Sequence, residues 1–128
     1  MPDYYIGLMS GTSMDGIDAV AVEFTSSKAT IHASLSCPYP TNLKNQLFTE
    51  INKPLSITLD KKGILDELVG HSFKKAAIDV IDKGNISSKD IIAICSHGQT
   101  IRHQPNIKNP FSLQIGNAKI IANGTGIT

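Results

Sequence analysis

Gly7-Leu8-Met9-Ser10-Gly11-Thr12-Ser13-Met14-Asp15-Gly16-Ile17-Asp18 carries the end of one strand, a turn-rich loop and the start of a second strand. Before it, Tyr4 to Met9 is a nearly continuous apolar run, which predicts a strand buried on both faces. Ser10 to Gly16 reads as the loop, and Ile17 to Phe24 resumes a strand rich in Val and Ala. After the polar turn Thr25-Ser26-Ser27-Lys28, Ala29, Ile31, Ala33 and Leu35 alternate with Thr30, His32, Ser34 and Ser36. Period two with one polar face predicts a half-exposed strand. Short connections cannot join parallel strands, so these three form an antiparallel meander.

The period then changes. Pro40-Thr41-Asn42 offers a helix start, and Leu43, Leu47 and Ile51 recur every four residues until Lys53-Pro54 stops them. A second helix follows from the stripe Ile64/Leu65, Leu68/Val69, Ser72/Phe73, Ala76/Ala77 and Val80/Ile81, with Gly84 as its C-cap. Ser87 to Asp90 is a turn and Ile91 to Cys95 a short apolar strand. Ser96 to Pro110 reads as a polar loop, Phe111 to Ile115 as a short strand and Asn117 to Asn123 as a short helix. Gly124 to Thr128 reads as a turn into a further strand, so a domain incomplete at its C-terminus is expected. The fold class is α/β with a mixed sheet, of the ribonuclease H-like kind rather than a purely parallel doubly wound sheet.

The 128 residues suit one domain, 41% hydrophobic and 18% charged. A net charge of +1 gives no electrostatic case for nucleic acid or an anionic membrane. There is no basic leader or long apolar run, so the chain reads as cytoplasmic and not membrane-bound. Cys37 and Cys95 are too few for a disulfide framework; lying in apolar stretches, they are expected to be buried free thiols.

A Gly/Ser/Thr loop between two strands can turn several backbone N–H groups toward a phosphate, with Thr12 and Ser13 adding hydroxyls. Asp15 and Asp18 are candidates to hold Mg²⁺, directly or through its waters. A P-loop would need Lys-Ser or Lys-Thr after its second glycine, but Ile17-Asp18 follows Gly16. A dinucleotide fingerprint would need G-x-G-x-x-G opening a helix, which is also missing. An ordinary hairpin loop with Asp15-Gly16 as turn residues accounts equally well for this spacing.

The stretch from Gly7 to Asp18 resembles the N-terminal signature of the anhydro-N-acetylmuramic acid kinases. Ser96-His97-Gly98-Gln99-Thr100-Ile101-Arg102-His103, Leu113-Gln114-Ile115-Gly116 and Gly124-Thr125-Gly126-Ile127-Thr128 resemble three further blocks of that family, in the same order. The chain departs at Asn117, where an acidic residue is expected. The resemblance implies the N-terminal lobe of an actin, Hsp70 and sugar-kinase (ASKHA) fold, two ribonuclease H-like lobes around an ATP cleft. Residues 1–128 would be a single truncated ATP-binding lobe, with the end of that lobe and the whole second lobe absent.

It further implies an ATP-dependent kinase of cell-wall recycling. Water opens the 1,6-anhydro bond of the sugar while O6 takes the γ-phosphoryl group, giving N-acetylmuramic acid 6-phosphate and ADP. ATP, with Mg²⁺, would contact Gly11, Thr12, Ser13, Met14, Asp15, Gly16, Ile17 and Asp18. The catalytic base, an aspartate in the family, would lie beyond Thr128. His97, Gln99, Thr100 and Arg102 follow an apolar strand and are candidates for the sugar, Arg102 facing its lactyl carboxylate. The same loop could instead satisfy its own backbone.

Cys95, His97 and His103 make no zinc site, because C-x-H is too tight and a fourth ligand is missing. His32 and His71 are expected to be structural or solvated. The sequons at Asn85 and Asn123 carry no meaning in a cytosolic chain. A non-catalytic nucleotide-binding regulator of the same fold is the alternative, although it has no use for residues 96–103 in this form. A plain structural α/β domain is a third reading, and four blocks in family order weigh against it. A homodimer is the assembly that the sequence leaves open.

Overall fold

A computed structural model describes residues 2–52 and 57–128. The elements run β1 (Tyr4–Ser10), β2 (Ile17–Phe24), β3 (Ala29–Cys37), α1 (Thr41–Ile51), α2 (Leu59–Lys83), β4 (Ile91–Gln104), β5 (Phe111–Ile115) and α3 (Ala118–Thr125), with a 3-10 turn at Ser88–Asp90. The five strands form one mixed sheet in the order β3-β2-β1-β4-β5. β1, β2 and β3 are the antiparallel meander the short loops require. β4 returns after two helices and lies parallel to β1, a connection only a long crossover can make. β5 then folds back antiparallel on β4.

β1 is not buried on both faces. Tyr4, Ile6, Leu8 and Ser10 are buried, while Tyr5 and Met9 are exposed. The buried face continues through Ile17, Ala19 and Ala21 on β2 and meets α2 through Leu65, Val69, Phe73, Ala76, Ala77 and Val80. Ile64 and Leu68 drop out of the apolar stripe and stay exposed, so the face α2 buries is narrower than its sequence pattern. The opposite sheet face keeps Met9, Phe24 and Ile31 more than half exposed.

α2 is capped at both ends. Thr58 accepts a hydrogen bond from the Lys61 N–H, Asp60 sits in the first turn and Lys83 in the last, and Gly84 is the C-cap. α1 ends at Ile51; the Lys53-Pro54 stop lies outside the described residues.

The expected loop from Ser96 to Pro110 is a strand as far as Gln104, and only residues 105–110 connect β4 to β5. The second half of β4 pairs with β5 as a hairpin that is largely open to solvent. Its polar side chains therefore reflect exposure, not irregular backbone. Cys95 is exposed while Cys37 is buried, which corrects the expectation of two buried thiols. Gly124 and Thr125 close α3 rather than forming a turn, and Gly126 supplies its left-handed cap. Thr128 O then accepts a hydrogen bond from the Ile94 N–H of β4 at 2.8 Å. His32 is structural: its Nε2 is 2.9 Å from Gly84 O, and its ring meets Tyr4 edge-on.

Candidate functional site

The loop of residues 11–16 leaves the carboxyl end of β1, the side on which α/β sheets bind ligands. Gly11, Thr12, Ser13 and Asp15 are exposed there. Met14 is not: it is 2% exposed, holds a positive φ of 57°, and anchors the loop into the core. Its N–H closes a turn onto Gly11 O at 3.1 Å. Ile17 is fully buried, so Met14 and Ile17 offer a ligand only their backbone.

Two glycines fix the local path. Gly16 has φ +155°, and a Cβ there would stand 2.8 Å from Cys37 O. Gly98 has φ +75°, and a Cβ would stand 2.5 Å from Ile115 O, so only glycine lets β5 close on β4. Gly11 differs: a Cβ would meet nothing nearer than Ser13 Oγ at 3.9 Å. The fold itself does not demand glycine at that position.

Beneath the loop is a buried polar cluster. Gln99, fully buried on β4, lies opposite Ser10 of β1. Its Oε1 accepts from Ser10 Oγ at 2.7 Å and from the Tyr39 hydroxyl at 3.0 Å. Its Nε2 donates to Gly11 O at 3.2 Å and Thr100 O at 3.1 Å. Ser10 Oγ also lies 2.8 Å from Gly16 O, spanning the loop from entry to exit. Burial pushes the Tyr39 phenol up to about 12, with the Ser10 hydrogen bond partly opposing it.

The sequence points to Gln99 as a sugar contact, but its amide is fully engaged inside the protein. His97 and Thr100 remain accessible, and Thr100 Oγ1 accepts from Gln114 Nε2 at 3.2 Å. Arg102 Nη1 donates to the carbonyls of Glu50 and Ile101, tying β4 to the end of α1. Asp15 is exposed with Lys44 Nζ at 4.0 Å, and Asp18 is exposed at the start of β2. Asp15, within the loop, and Asp18, just after it, are accessible carboxylates, the donor type that a largely hydrated Mg²⁺ takes. Among the described residues no cluster of three or more His, Cys, Asp or Glu side chains could hold a metal.

Three participants escape a sequence reading. Tyr39 belongs to no motif; its only signal is its place between Pro38 and Pro40, just before a helix. Ser10 lies inside the signature but looks like any loop serine. Asp66 on α2 accepts from the Gly116 N–H at 2.8 Å and holds the end of β5. Asn117, the departure from the family pattern, caps α3 by accepting from the Lys119 N–H at 3.0 Å. Among the described residues no helix is long and apolar enough to cross a membrane.

The family model described as anhydro-N-acetylmuramic acid kinase matches residues 3–128. The chain is 46% identical over 126 residues to an anhydro-N-acetylmuramic acid kinase of Shewanella denitrificans, covering 98% of this chain and 34% of that protein. It is 45% identical over 124 residues to that of Shewanella loihica, covering 97% and 33% respectively. It thus spans about a third of the length of the curated relatives it matches. With the family model matched from residue 3 to residue 128, this chain belongs to the anhydro-N-acetylmuramic acid kinase family.

Proposed function

We propose that residues 1–128 form the N-terminal, ATP-binding lobe of a kinase that opens and phosphorylates anhydro-N-acetylmuramic acid. The observation that carries this reading is the continuous family match combined with an exposed Gly11-Thr12-Ser13 loop at the carboxyl end of β1. The antiparallel meander with β4 parallel to its first strand supports a ribonuclease H-like lobe of the ASKHA kind.

In this reading the loop's N–H groups and the Thr12 and Ser13 hydroxyls meet the ATP phosphates. Asp15 and Asp18 would hold Mg²⁺, which would supply positive charge against the transferring group. His97, Thr100 and Arg102 face the sugar. A water attacks the anomeric carbon and loses its proton to a base outside residues 1–128. The bond from that carbon to O6 breaks, and O6 takes the γ-phosphoryl group as ADP leaves.

The full-length protein, given the anhydro sugar, ATP and Mg²⁺ in ¹⁸O-labelled water, tests this. The reading predicts sugar-dependent ADP release and a 6-phosphorylated sugar with one labelled oxygen at the anomeric carbon. A phosphorylated product that keeps its anhydro ring, or ATP consumption indifferent to the sugar, contradicts it.

A further inference from the structure

We propose that Gln99 is a positioning residue for the nucleotide loop, its buried amide aiming a loop N–H at the phosphate. The proposal rests on the reading of residues 11–18 as the nucleotide loop. A side-chain amide has two donor hydrogens and two acceptor lone pairs. In Gln99 both Nε2 hydrogens go to Gly11 O and Thr100 O, and Oε1 accepts from the Tyr39 hydroxyl and shares the single Ser10 hydroxyl hydrogen with Gly16 O. Reversing the amide would set its oxygen against two carbonyl oxygens, so its orientation is determined by its neighbours.

The consequence lies in the next peptide. Gly11 O accepts from both Gln99 Nε2 and the Met14 N–H, at 3.2 and 3.1 Å, and so points inward. In a trans peptide the C=O and the following N–H point in opposite directions. The Thr12 N–H is therefore turned outward, into the exposed part of the loop where a phosphate would approach. Ser10 Oγ lies within reach of both Gln99 Oε1 and Gly16 O and gives its one hydrogen to either, so the exit of the loop and the amide share a donor. Tyr39 completes the cluster as a donor from the segment before α1.

An apolar residue of similar volume would fill the same space but could not hold the Gly11 carbonyl. In the full-length protein, Gln99→Met should raise the KM for ATP by about ten-fold or more while the KM for the anhydro sugar stays within about two-fold. Gln99→Glu keeps the shape, yet can donate toward Gly11 O only when protonated. Its KM for ATP should therefore fall as the pH is lowered, a pH response that loss of packing alone would not produce. Tyr39→Phe removes one partner of Oε1 and should raise the KM for ATP less than Gln99→Met does. Together with Gln99→Glu it answers the question if Gln99→Met does not fold.

Gly11→Val, which alters the loop directly, separates the two levels of the proposal. If Gly11→Val leaves ATP kinetics unchanged, the nucleotide reading itself fails. If Gly11→Val impairs ATP use while the Gln99 variants leave its KM unchanged, or raise only the sugar's, the positioning role alone is overturned.

Discussion

Glycines at the two ends of the loop obey different constraints, and that difference is testable. At Gly16 an added Cβ collides with the Cys37 carbonyl and the backbone sits in the region glycine favours. Gly16→Ala should therefore lower the Tm whatever it does to activity. At Gly11 the fold has room, so Gly11→Val should leave the Tm close to that of the parent while abolishing ATP turnover. Thermal scans paired with an ADP-release assay check both, and a collapsed Tm for Gly11→Val would move that glycine's role from ligand to fold. Tyr39 gives a second test through pH. Its phenol is raised to about 12 in the folded chain against an ordinary value near 10. Between those values the unfolded chain ionises and the folded chain does not. The stability from the buried neutral phenol is thus complete below about pH 10 and lost as the pH rises toward 12. Urea unfolding across that range should fall less steeply with pH in Tyr39→Phe than in the parent; equal slopes would contradict the burial of a protonated Tyr39. The loop was legible from its Gly, Ser and Thr residues, but the cluster beneath it was not. Gln99, Ser10 and Tyr39 are far apart in sequence; the β1–β4 register brings the first two together, and the segment between β3 and α1 brings Tyr39 to them.

Among the elements, α2 is the piece against which the sheet packs, and its sequence shows both strength and slack. Phe73 is fully buried at its centre, and Phe73→Ala should destabilise the protein by about 3–5 kcal/mol. Gly63, on the same helix, is exposed with nothing within 4 Å of an added Cβ. Gly63→Ala should therefore stabilise by about 0.5–1 kcal/mol, the ordinary helix penalty of glycine, in chemical denaturation. A destabilised Gly63→Ala would mean that this face of α2 has a neighbour. The helices and the meander follow from periodicity because each buries one regular face. β4 is misread past Cys95 for the opposite reason. Thr100, Arg102, His103 and Gln104 belong to a solvent-flanked hairpin with β5, where no apolar alternation marks a strand. β1 is misread in the other direction, since Tyr5, Gly7 and Met9 are apolar residues on a face left largely open.

For the whole molecule, the sheet brings the loop after β1 and the middle of β4 to one place, where the proposed ATP and sugar contacts adjoin. On the proposed function the base that deprotonates water lies outside residues 1–128, so residues 1–128 alone should release no ADP with the anhydro sugar. Turnover by that piece would place a base among its own residues, with His97 the first to substitute. The family blocks were legible as words in the sequence. Which of their residues face a ligand and which hold the loop became visible only in three dimensions, as Gln99 and Met14 illustrate. Hydrogen exchange on the full-length protein, read by mass spectrometry with and without ATP and Mg²⁺, reports on the loop's N–H groups themselves. Nucleotide should slow exchange in the peptides covering Gly11 to Asp18, because the outward N–H groups of that loop gain phosphate partners. Nucleotide bound with exchange across Gly11 to Asp18 unchanged would mean that the loop does not hold the phosphates.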